Sequence, residues 1–243
     1  MEQDNLHRSS KNYLKTIIAG MILMFIIVQV GFHATYIKHF PGFTGFSWVH
    51  HIHGALMASW CILLVLQPVL IYKGKYTTHR FLGKLSYVIA PLIMISMFLI
   101  ARQNFESGVL KKPAAEVMAN QSITWMQLFM FVLFYCLAIN FRKLTNWHMR
   151  FMIGTAIIMI GPPLNRFLHS YFPDLPVPVI LPLVLGIKTA LAAAFLFSDL
   201  AKKRSLIPYS VVLAAFLFSD LVYYARYSAV WQGFGKFVTD HLY

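Results

Sequence analysis

Acidic residues are scarce in this chain of 243 residues: 8 Asp and Glu stand against 21 Lys and Arg. Charged residues of both signs make up only 12% of the sequence, about half the share found in ordinary soluble domains. Too little charge is available to cover a water-facing surface. Cysteine is nearly absent as well. Cys61 and Cys136 both fall inside apolar runs, lack metal-ligand spacing and read as small core residues. No glycine-rich phosphate loop occurs, and no soluble segment is present that could couple nucleotide hydrolysis to the rest.

What fills the chain instead is apolar sequence. Hydrophobic residues make up 58% of it, and the mean hydropathy is +0.63. A membrane-spanning helix needs about 20 mostly apolar residues. Seven stretches qualify: residues 14–37, 49–71, 82–101, 123–141, 151–169, 177–200 and 207–230. The expected fold is therefore all-α, a polytopic bundle of about seven transmembrane helices forming a single domain over 1–243, with the lipid bilayer as its main partner. The first stretch is long and no small-residue cleavage site follows it, so it reads as a span rather than a signal peptide.

In a soluble protein the basic excess would suggest nucleic acid. Here the cations sit in short clusters between apolar runs, which points to topology and not to a nucleic-acid partner. The N-terminal flank and alternate loops hold Arg8, Lys11, Lys15, Lys73, Lys75, Arg80, Lys84, Arg142, Lys143, Arg150, Lys202, Lys203 and Arg204, and the opposite side holds fewer. The positive-inside rule then places the N-terminus in the cytoplasm and the C-terminus outside, in a multi-pass protein of the plasma membrane. Trp147 falls at the inner surface, and Trp48, Trp125 and Trp231 fall at the outer one, as an aromatic belt would; Trp60 is deep. The long polar segment from Arg102 to Ser122 has room for a short amphipathic helix.

The stretch HHIHGALMASW, residues 50–60, carries three histidines at the mouth of an apolar run. His53 lies about one turn inside the second span and His33 about one turn inside the first. The two are expected at matched depth on neighbouring helices, with His169 ending the fifth span at the same surface. His50 shares a face with His53, whereas His51 points elsewhere. His79 and His148 open the third and fifth spans on the other side. Two tiers of histidine are what a membrane cytochrome uses to hold heme b between paired imidazoles, with Arg80, Arg150 and Arg166 available to propionates. The same residues also suit interfacial anchoring, and His33, His50 and His53 could instead hold zinc or copper. Gln67, fourteen residues after His53, stands where stacked hemes often repeat a histidine.

A second constellation lies in the last two spans. Lys188 and Asp220 are expected at similar depth on consecutive antiparallel helices. The pair reads either as a structural salt bridge or as a proton relay or anion contact. Asp199, beside Lys202, Lys203 and Arg204, reads as part of an interfacial ion pair at the inner surface. The octapeptide AAFLFSDL occurs at 193–200 and again at 214–221, too short for a structural repeat.

The segments HIHGALMASWCILLVLQPVL, HRFLGKLSYV and NWHMRFMIG together resemble an uncharacterised family of bacterial multi-span membrane proteins, over about the second to fifth spans. The paired histidines at two surfaces resemble cytochrome b561-type proteins more distantly. That second resemblance implies a heme b electron-transfer protein exchanging electrons with quinone or a respiratory partner. The alternatives are a non-enzymatic carrier or respiratory assembly factor built on Lys188 and Asp220, or a zinc- or copper-binding membrane protein.

Overall fold

Each apolar run forms a helix, because a backbone in hydrocarbon must satisfy its N–H and C=O groups within its own segment. The computed structural model describes residues 2–243, with side chains from residue 11 onward; the side chain of Arg8 lies outside the described residues. Ten helices occur among them, and no strand: α1 Glu2–His33, α2 Trp48–Tyr72, α3 Tyr76–Gly83, α4 Ser86–Val109, α5 Ala114–Asn120, α6 Ser122–Asn140, α7 Thr145–Tyr171, α8 Val177–Ala201, α9 Ile207–Tyr224 and α10 Ala229–His241. Seven segments are long and apolar enough to cross a bilayer, with α3 and α4 together forming the third. The protein is thus an all-helical, multi-pass membrane protein. Large apolar side chains such as Leu23, Val88, Phe197, Leu217 and Leu221 remain more than half exposed, a surface that suits lipid and not water.

The helix ends follow local chemistry. Ser47 caps α2, and His50, three residues on, reaches back to the Ser47 N–H in a capping box. Gly74 closes the same helix at φ +70°, in the left-handed region that glycine adopts without a steric penalty. Pro208 sits in the first turn of α9, where no backbone donor is needed. Pro68, Pro91, Pro162, Pro163 and Pro182 lie inside helices, as membrane helices tolerate.

Packing divides the chain into two compact units whose boundaries fall inside α4, α7 and α8. The first comprises Met1–Ile93 and Met159–Ile180. Its core includes Met21 and Met24 from α1 and Trp60, Cys61 and Leu64 from α2. α1 meets the end of α7 closely: a Cβ on Gly31 would overlap the carbonyl and side chain of Pro163. α3 folds back on α2. The Gln67 amide, with its NH2 toward His79, donates to the His79 carbonyl at 3.2 Å and to its Nδ1, and accepts from the Gly83 N–H at 3.1 Å.

The second unit comprises Met94–Ile158 and Leu181–Tyr243. α7 is its central helix, with Phe151, Ile153, Thr155, Ala156, Ile157 and Ile158 all buried. Gly154 lets Phe134 of α6 and Val212 of α9 approach together. The polar segment after α4 holds the short helix α5, in line with expectation. The last span ends at Tyr224 and not near 230, and the chain turns into α10, whose Trp231, Gly235 and Val238 are buried. Trp231 Nε1 donates to the Met118 carbonyl on α5 at 3.1 Å. Tyr243 donates to Gln121 Oε1 at 3.2 Å, and burial pushes its phenol up to about 12. Trp125 and Trp231 are consequently packed inside a cluster with Met118 and Val238. They do not form the exposed aromatic belt expected of them. Trp48, at 66% exposure, keeps the expected character.

Replacing Gly31 with Val should force α1 off Pro163 and cost about 1–3 kcal/mol, the usual penalty of overpacking. A thermal melt in detergent, followed by gel filtration, measures this; an unchanged midpoint contradicts the close approach.

Candidate functional site

The three histidines of HHIHGALMASW separate in space. His50 Nδ1 lies 2.8 Å from Ser47 Oγ, so its ring is part of the α2 cap. His51 Nδ1 lies 2.6 Å from the Tyr36 hydroxyl and packs edge-on to Phe43 at 5.0 Å. Gly54 faces the same Tyr36 ring. His53 is half-buried, close enough to His50 and Arg166 to feel both electrostatically. His33 Nδ1 lies 3.3 Å from the Tyr171 hydroxyl at the end of α7.

Beside these residues is a cavity of about 370 Å³ lined by Thr35, Pro162, Asn165, Arg166, His169 and Ser170. Thr35 Oγ1 is buried there without a hydrogen-bond partner. Arg166 stacks over Phe32, 5.0 Å from the ring centre, and has no acidic partner among the described residues. The ends of α1 and α7 thus place His33, His169 and Arg166 in one unit with His50 and His53. Among the described residues, however, no three His, Cys, Asp or Glu side chains group closely enough to hold a metal ion.

The remaining two sequence-selected histidines lie in different units. His79 faces Gln67, so the residue that broke the heme spacing is a helix–helix tie. His148 Nδ1 lies 2.8 Å from the Ala138 carbonyl. A carbonyl only accepts, so Nδ1 carries the proton, and in the neutral ring Nε2 is the lone-pair atom.

The second unit contains an ion pair that sequence reasoning missed. Arg150 and Asp199 are 2% and 1% exposed. The guanidinium donates to both carboxylate oxygens, Nε to Oδ2 at 2.5 Å and Nη2 to Oδ1 at 2.9 Å. It also donates from Nη1 to the Asn146 carbonyl at 2.8 Å and lies over the Tyr209 ring at 5.6 Å. Arg204 stands 3.8 Å from Asp199. Asp199 thus has the expected neighbour in Arg204, but its two hydrogen bonds go to Arg150, which is committed to a carboxylate. The available signal was spacing: Phe195 and Asp199 are four apart on the α8 face that also buries Lys188 and Ala192.

Lys188 is 1% exposed near the middle of α8. Its ammonium lies 5.6 Å from the centre of the Phe216 ring. Asp220 stands one turn before the end of α9 and accepts from Thr189 Oγ1 at 2.7 Å. Lys188 and Asp220 interact electrostatically, but no hydrogen bond or close ion pair joins them among the described residues. Asp220 Oδ1 and the neighbouring Ser219 Oγ are buried without partners. Because α9 stops at Tyr224, Asp220 sits about 6 Å below the helix end, shallower than expected.

Comparison with protein-family models, with characterised proteins and with solved structures gave no match.

Removing one member of the Arg150–Asp199 pair strands a buried charge. Asp199→Leu should cost about 3–5 kcal/mol, and Arg150→Met with Asp199→Leu should recover most of that loss. Thermal midpoints of the single and double variants in detergent decide; a double variant no better than the single refutes the pairing as the source.

Proposed function

We propose that this membrane protein is a non-enzymatic carrier that takes up and releases a proton at the Lys188–Asp220 pair. The observation that carries the reading is the set of unsatisfied polar atoms there. The Lys188 side chain is 1% exposed with the Phe216 ring 5.6 Å from its ammonium, and among the described residues Asp220 Oδ1 and Ser219 Oγ have no hydrogen-bond partner. A buried structural pair normally satisfies its lone pairs and protons, as Arg150 and Asp199 do. An intramembrane ionisable group left short of partners is a functional candidate. Gain or loss of one proton changes the electrostatic energy of such a pair as a unit.

Proteoliposomes loaded with a pH-sensitive dye test the reading. Under an imposed pH gradient the protein should dissipate the gradient faster than empty vesicles, and Lys188→Met and Asp220→Asn should each return the rate to that of empty vesicles. Flux unaltered in both variants, or absent from the native protein, refutes it.

A second reading, heme b binding with electron transfer from quinone, is favoured by His148. Its Nδ1–H is held by the Ala138 carbonyl, the outer-shell bond that orients a ligating imidazole and leaves Nε2 for iron. Protein purified from a heme-replete host should give a b-type pyridine hemochrome spectrum that His148→Ala abolishes. A colourless native protein ends this reading.

A further inference from the structure

The second unit has another cavity, distinct from the Lys188–Asp220 pair, of about 420 Å³. It lies where the α6–α7 and α8–α9 loops meet, and its lining includes Lys143, Asn146, Trp147, Arg150, Arg204 and Ser205. We propose that this cavity binds a phosphate group, carried either by an anionic lipid or by free inorganic phosphate.

Three cations, Lys143, Arg150 and Arg204, contribute to the wall, and among the described residues the carboxylate that pairs with two of them is Asp199, bonded through both oxygens to Arg150 and 3.8 Å from Arg204. The wall therefore keeps a surplus of positive charge. A phosphate at neutral pH carries a comparable negative charge and several strong acceptor oxygens. The donor set matches those oxygens. Arg204 offers a planar fork and Lys143 a point charge, the two cationic modes by which proteins hold phosphate. Ser205 and Asn146 add neutral donors. Arg150 is 2% exposed and locked by Asp199 and the Asn146 carbonyl, so the inner wall is rigid before anything binds. Trp147 packs against Phe141 with ring centres 4.8 Å apart and supplies the amphipathic flank common beside lipid headgroups. Basic pockets between transmembrane helices recognise such headgroups.

The test uses the full chain purified in detergent. Native mass spectrometry after exchange into micelles doped with phosphatidylglycerol or with phosphatidylcholine reports the lipid source. A thermal-shift titration with inorganic phosphate, against sodium chloride at equal ionic strength, reports the free ion. Selective retention of phosphatidylglycerol supports the lipid source, and a saturable stabilisation by phosphate but not chloride supports the free ion. In either case Lys143→Gln with Arg204→Gln should weaken binding about thirtyfold, and the exposed Lys143→Gln alone about fivefold, at roughly 1 kcal/mol per cation. The single variant keeps both Asp199 contacts, so it reports on binding if the double variant fails to fold. Equal stabilisation by chloride together with no preference between the lipids, or binding unaffected by Lys143→Gln, overturns the proposal.

Discussion

A charge buried in a helix bundle must find compensation inside the protein, because its water shell is lost there. The second unit follows from that constraint. Arg150 on α7 and Asp199 on α8 meet through two hydrogen bonds, and Asn146 and Tyr209 take up the remaining faces of the guanidinium. This arrangement ties α7, α8 and α9 into one register. It does so where α7 is buried on nearly every side, so the polar tie and the apolar packing support each other.

The two copies of AAFLFSDL show how context separates identical sequence. In each copy a phenylalanine packs inward and an aspartate follows four residues later. In the first, Phe195 stacks on Tyr209 at 5.2 Å and Asp199 is bonded through both oxygens. In the second, Phe216 lies under the Lys188 ammonium, and Asp220 keeps one oxygen without a partner. One aspartate locks the unit and the other leaves chemistry undone. The contrast within a single chain, more than the depth of either charge, is what sets Lys188 and Asp220 apart.

The histidines make a similar point in the first unit. A helix cap and two tyrosine hydroxyls account for one ring nitrogen each of His50, His51 and His33. A histidine-rich stretch is thus divided into several local tasks by the faces of α2, and sequence proximity says little about shared chemistry.

Hydropathy alone determined that the chain is a seven-span helical membrane protein, since about 20 apolar residues have no other way to satisfy their backbone in a bilayer. It also singled out Lys188 and Asp220, because ionisable residues inside apolar runs are conspicuous. Helix ends were less legible. The third span gained a separate first turn in α3, the fifth began at Thr145, and the last gave way to α10. Backbone hydrogen bonding continues past the point where side chains stop being apolar, and amphipathic helices do not stand out in a hydropathy count. Partner choice was decided only by tertiary structure. Asp199 looked interfacial beside Lys202, Lys203 and Arg204, yet it is bonded to Arg150, far away in sequence, because helix packing brings their two buried faces together and a pairwise contact between distant segments leaves no periodic trace in either.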